Sequence, residues 1–90
     1  MAEKKTVLTL ITGADKGIGF ATAQALGKKG QHILIGSRNQ ERGKKAVEQL
    51  NAAGIRADFI QLDVTDKAQI TAAADKINAD YGYLNILINN

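Results

Sequence analysis

The stretch from Thr12 to Gly19, TGADKGIG, constrains this 90-residue chain more than any other. It follows a continuous apolar and β-branched run, Val7 to Ile11, and opens a segment of helical pattern that starts with Ile18. Gly13, Gly17 and Gly19 let the backbone turn sharply, approach a ligand closely and pack the new helix hard on its strand, because none carries a Cβ. The helix then starts with unpaired N–H groups and a partial positive charge, which suits a pyrophosphate. A glycine turn that follows a strand and opens a helix is the setting of a phosphate cradle; its bland alternative is a turn that binds nothing. The glycines are spaced GxxxGxG, not the GxGxxG of the commonest dinucleotide fingerprint.

Beyond the loop, strand signals alternate with helix signals. Val7 to Ile11 has the pattern of a strand covered on both faces. A helix is expected from Gly17 or Ile18 to about Lys29, offering Ile18, Ala21, Ala25 and Leu26 to the sheet, with Gly30 as its stop. His32 to Gly36 is the second strand. Asn39 then caps a helix with Glu41 in its first turn and Gly43, Ala46, Val47, Leu50 and Ala53 on its inner face, ended by Gly54. Arg42, Lys44, Lys45 and Glu48 on the other face read as solvated charge. Asp58 to Leu62 is the third strand. Asp66 caps the third helix, Gln69 completes a box-like start, and Ile70, Ala73, Ala74, Ile77 and Tyr81 form its apolar stripe before Gly82. Leu84 to Ile88 is the fourth strand.

No proline and no linker-like composition interrupts this series, so residues 1–90 read as one dinucleotide-binding unit, β-α-β-α-β-α-β. Such alternation requires right-handed crossovers and a parallel sheet with helices on its faces. The expected class is α/β, a Rossmann-type doubly wound parallel sheet of strand order 3-2-1-4. Winding reverses between the first and fourth strands, so the glycine loop and Asn90 are expected to meet at one crevice.

With these residues in place, the chain resembles the short-chain dehydrogenase/reductase family. Thr12 to Gly19 looks like that family's TGxxxGxG cofactor motif, and Asn89-Asn90 is similar to the opening of its NNAG motif. Asp63-Val64 resembles the adenine-contacting Asp and its neighbour. The segments Asp15 to Gly19, Ser37 to Leu50 and Gln61 to Val64 are most similar to the NADPH-dependent carbonyl reductase branch. The resemblance covers Val7 to Asn90. It implies cofactor contacts at Gly13, Asp15, Lys16, Gly17, Ile18, Gly19, Ser37, Arg38, Asp63, Val64 and Asn90, and reduction of a ketone or aldehyde by hydride transfer.

The family's catalytic Ser, Tyr and Lys are expected beyond Asn90. Tyr81 and Tyr83 do not fit the role, since Asn85 and Leu87 stand where a Lys would follow. The chain is therefore expected to be the N-terminal, cofactor-binding part of an incomplete domain, inactive alone, with the carbonyl substrate binding to the full-length parent. A stand-alone nucleotide-binding or assembly module without catalysis is the alternative. The apolar fourth strand with nothing after it favours the fragment, and as an exposed edge it is a candidate for self-association.

The end of the second strand selects the dinucleotide. An NAD site usually places an acid there, whereas this chain reads Ser37-Arg38-Asn39. Arg38 can pair with a 2′-phosphate, Ser37 can donate a hydroxyl, and Lys16 resembles a second basic position, so NADP(H) is preferred and NAD(H) is less favoured. Asp15 disagrees, because a carboxylate near the ribose weakens a phosphate interaction unless Lys16 and Arg38 screen it. Asp63 is either the adenine-amine acceptor or a solvated carboxylate at a strand end.

Other functions are poorly served. A net charge of +3 with two Tyr and two Phe offers no clustered basic and aromatic surface for nucleic acid. There are no cysteines, and the single histidine, His32, opens a strand and reads as structural, so no metal site is expected. Met1 to Lys5 is polar, and no apolar run is long enough to span a bilayer, which makes a cytoplasmic protein the expectation.

Overall fold

Backbone pairing in the computed structural model, which describes residues 6–90, puts four parallel strands in the order β3-β2-β1-β4. The charged start, residues 1–5, lies outside the described residues. The elements are β1 (Leu8–Thr12), α1 (Gly17–Lys28), β2 (His32–Ser37), α2 (Gln40–Ala52), β3 (Ala57–Gln61), α3 (Lys67–Asp80) and β4 (Ile86–Ile88). The doubly wound sheet expected from the sequence is therefore the sheet observed.

Side chains of the central strands alternate between two cores. Ile11, Ile33, Ile35 and Ala57 face α1 and α2, where Ala23, Ala46, Leu50 and Ile55 meet them. Leu8, Leu10, Leu34, Ile60 and Leu62 face the opposite way, toward Ala73 and Ile77 of α3. Every position of β1 and β2 is buried, which is why both read as unbroken apolar runs. Burying one such Leu or Ile is worth about 1.5–3 kcal/mol, so these two strands anchor the unit.

The packing face of α1 differs from the expected one. Ile18 is 80% exposed, Ala21 and Ala25 are exposed, and Leu26 is half-buried, whereas Gly19, Ala23 and Gly27 are buried. A Cβ on Gly19 would stand 2.7 Å from the Gly13 carbonyl oxygen, and one on Gly27 would collide with the Ile55 side chain. The helix thus approaches the sheet through its smallest residues, which a count of apolar side chains does not weigh.

Helix caps follow the sequence more closely. Asn39 Oδ1 accepts from Arg42 N at 2.8 Å, and Asp66 Oδ1 accepts from Ala68 N at 2.9 Å and Gln69 N at 3.3 Å. Gln69 does not close a capping box on Asp66. Its Oε1 reaches one turn further back and accepts from Asp63 N at 2.8 Å, because Asp66 N is already committed to Asp63 O at 2.9 Å. Glu41 lies in the first turn of α2, and of that helix's expected inner face Ala53 is exposed at the C-cap.

The stripe of α3 is only half used. Ala73 and Ile77 are buried and Tyr81 is half-buried, but Ala74 is exposed and Ile70 is 44% exposed. Ile70, Ile77, Leu84, Leu87, Leu10 and Leu62 line a groove of about 360 Å³ between α3 and β4. Strand β4 is also shorter than expected. Asn85 stays outside it and clamps its start, its side chain accepting from Leu8 N at 2.8 Å and its N–H donating to Leu8 O at 3.0 Å.

Candidate functional site

The glycine loop is built from the C-terminal end of β1 and tied to the end of β2. Gly13 N donates to Gly36 O at 2.8 Å, which holds the loop down as it turns into α1. Gly13 and Gly17 have φ of 63° and 62°, the left-handed region that side chains disfavour. Nothing lies within 4 Å of where a Gly17 side chain would start, so the space in front of the loop is open. Lys16 is the N-cap of α1 and forms no side-chain cap, which leaves the first N–H groups of the helix without a side-chain acceptor.

The other lip comes from the residues after β4. Asn90 Nδ2 donates to Gly13 O at 3.2 Å and Asn90 N donates to Thr12 Oγ1 at 3.0 Å. Thr12 Oγ1 in turn donates to Asn89 Oδ1 at 3.1 Å. The glycine loop and Asn90 meet at the switch point, as their strand positions require. Thr12 is the hub of this junction and was not singled out as a site residue; as the Thr that opens TGxxxGxG, it carried the signal.

Gly13, Asp15 and Lys16 of the loop, Ser37 at the end of β2 and Arg38 after it, Arg42 of α2, Asp63 and Val64 after β3, and Asn90 line one crevice of about 280 Å³. Gly17, Ile18 and Gly19 are not part of that lining. Gly19 is buried beneath the loop and Ile18 stands exposed in the first turn of α1. Ser37 is buried, and its hydroxyl is engaged in its own turn, donating to Asn39 O and accepting from Asn39 N, both at 3.1 Å. Arg38 is exposed, and among the described residues neither it nor Lys16 forms an ion pair.

Asp15 has a partner the sequence did not reveal. Arg42 Nε donates to Asp15 Oδ2 at 2.9 Å, with the Asp15 side chain only 9% exposed and that of Arg42 52% exposed. Burial pushes the Asp15 carboxyl up. The Arg42 hydrogen bond, the loop's own N–H, the Arg42 charge and the nearby Ser37 hydroxyl outweigh it and hold the carboxyl below the usual carboxylate value. Asp15 is thus screened by Arg42, whose side chain stays half-exposed on the solvated face where its spacing places it while its Nε reaches the loop. The cause is the Asn39 cap, which fixes the first turn of α2 beside the glycine loop.

Asp63 sits across the crevice. Its Oδ1 accepts from Thr65 Oγ1 at 2.7 Å and Thr65 N at 2.9 Å. These two bonds lower its pKa; slight burial opposes them and the Arg38 charge adds to them. The side chain therefore holds its own turn while facing the crevice.

Both tyrosines lie at the far end of the strands. Tyr81 packs edge-on against His32, ring centroids 5.4 Å apart, and donates to Asp58 Oδ2 at 2.8 Å. Burial, then the hydrogen bond and charge of Asp58, push its hydroxyl up to about 12. Tyr83 donates to Thr6 O at 3.1 Å, before the start of β1.

Comparison with known proteins matches this architecture. Residues 7–90 fit the family model described as short chain dehydrogenase. Carbonyl reductase (NADPH) 3 of Mus musculus is 43% identical over 84 residues, covering 92% of this chain and 30% of that protein. The solved structure of menthone neomenthol reductase from Mentha piperita superposes with a TM-score of 0.89 at 37% identity, over 97% of this chain and 32% of the other. An actinorhodin polyketide ketoreductase variant solved with NADPH gives a TM-score of 0.90 at 33% identity, over 100% of this chain and 34% of its own. The chain thus spans about a third of the length of these relatives.

Proposed function

This chain belongs to the short-chain dehydrogenase family, and we propose that it is the NADP(H)-binding, N-terminal portion of a cytoplasmic oxidoreductase that reduces ketones or aldehydes. One observation carries the reading. The glycine loop, Lys16 and Arg38 share a crevice at the switch point, and no acid stands at the end of β2. Guanidinium and ammonium groups that form no ion pair among the described residues suit a ribose 2′-phosphate, and the open space before Gly17 with the uncapped start of α1 suits a pyrophosphate. The residues present therefore fit the dinucleotide. NADPH, when bound, supplies the hydride; this chain's residues hold and orient it.

Carbonyl reduction is supported by the names of the relatives, of which the mouse protein is called a carbonyl reductase. Residues 1–90 are then part of a larger domain, consistent with a chain that spans about a third of its relatives. The test is a calorimetric titration of the full-length protein with NADPH and NADH. Tighter binding of NADPH is expected, and equal affinities or no binding would overturn the reading. No described helix is long and apolar enough to cross a membrane.

A further inference from the structure

Strand β3 ends at Gln61, and Leu62 N donates to Ser37 O at 3.0 Å, the last backbone bond made to β2 along this path among the described residues. The N–H of Asp63, one residue further, has no strand carbonyl to meet and needs a partner. It donates to Gln69 Oε1 at 2.8 Å, so the first turn of α3 takes over where the sheet stops. Asp63 Oδ1 is held in turn by Thr65 N and Thr65 Oγ1. Among the described residues no hydrogen bond is made to Oδ2, and Asp63 lines the crevice. Gln69 is half-buried in α3 and is not part of that lining. An ionised carboxylate oxygen can only accept, so the uncommitted one calls for a donor on the ligand.

We propose that Gln69 is a positioning residue for base recognition: by holding the Asp63 N–H it fixes the turn after β3, so that the free carboxylate oxygen accepts from the exocyclic amine of an adenine ring. This rests on the reading of the crevice as an NADP(H) site with Asp63 on its adenine side. Gln69 acts through the backbone of Asp63 and touches no cofactor. Its effect therefore falls on the choice of base and not on the ribose phosphate. A base with a carbonyl in place of the amine offers Oδ2 no donor there and gains nothing from the brace.

Binding of NADPH and of its hypoxanthine analogue, in which a carbonyl replaces the amine, to the full-length protein tests it. Wild type is expected to prefer NADPH. Gln69→Met keeps the side-chain length without the acceptor, and is expected to weaken NADPH binding by about three- to tenfold, the range for one lost hydrogen bond, while changing the analogue little. Gln69→Glu restores an acceptor oxygen and is expected to keep the wild-type discrimination. Equal weakening for both dinucleotides, or unchanged discrimination in Gln69→Met, overturns the proposal. A wild type that binds both equally overturns this inference alone, whereas one that binds neither overturns the NADP(H) reading itself. Should Gln69→Met fail to fold, the comparison is made in Gln69→Asn, whose oxygen falls one carbon short, and amide exchange at Asp63 is followed in the wild type without cofactor. Lost discrimination and slow exchange are expected; full discrimination in Gln69→Asn, or rapid exchange in the wild type, overturns the brace.

Discussion

Asn90 Nδ2 and the Gly13 carbonyl oxygen lie 3.2 Å apart although 77 positions separate them in the chain. Their contact closes the crevice at the place where the winding of the sheet reverses, and Gly19 packs directly beneath it. A Cβ on Gly19 would stand 2.7 Å from both Asn90 Nδ2 and Gly13 O.

Gly19→Val should therefore force α1 away from the loop and abolish dinucleotide binding. Overpacking of this kind costs about 1–3 kcal/mol, enough to endanger folding in a marginally stable unit. Calorimetric binding alongside circular dichroism separates the two effects. Normal NADPH affinity in the variant would show that the close approach is not required.

Arg38→Ala should weaken NADPH binding to the full-length protein by about 1.5–3 kcal/mol, the worth of a hydrogen bond to a charged group. That is roughly 10- to 150-fold in Kd. NADH should be almost unaffected. Equal losses for both cofactors would place the Arg38 contribution outside the phosphate.

Asp58 gives the unit a distinct acid limb. Burial raises its pKa, but hydrogen bonds from Tyr81 and His32, followed by the charges of His32 and Arg56, bring it below 3.8. Since the folded value is the lower one, Asp58 stabilises the fold above the unfolded value and loses that contribution as pH falls through the folded value. Its side chain is 54% exposed, so the effect is at most about 1 kcal/mol. Urea unfolding of Asp58→Asn should show a smaller loss of stability than wild type below about pH 4. Parallel curves would dismiss the contribution.

The outer edge of β4 predicts self-association of the ninety-residue polypeptide when prepared alone. Ile86 and Leu87 are 37% and 60% exposed, among the described residues β4 pairs only with β1, and the apolar groove beside α3 adjoins it. An unpaired edge beside apolar side chains recruits another chain. Sedimentation should reveal dimers or larger species that vanish on Leu87→Lys. A stable monomer with protected β4 amides would contradict this.

Local chemistry made much of this protein legible. Unbroken apolar runs mark β1 and β2 because both are buried on two faces, Asn39 and Asp66 mark helix starts because their side chains satisfy orphan N–H groups, and the glycine loop announces itself through spacing. Strand order followed from alternation and handedness together with the doubly wound arrangement that a glycine loop after the first strand implies. What required the tertiary structure were contacts whose partners are distant in sequence and whose residue types are ambiguous. Arg42 has the same spacing as its solvated neighbours Lys44 and Lys45, and only the approach of α2 to the loop pairs it with Asp15. Gly27 carries no hydrophobic signal, yet it sets the face of α1 because Ile55 fills the space where its side chain would be. Gln69 fits a capping box by position, but the turn at Asp63 offered its side chain a free N–H first. Sequence determines which groups need partners, and the packing of helices on the sheet decides which partner each one meets.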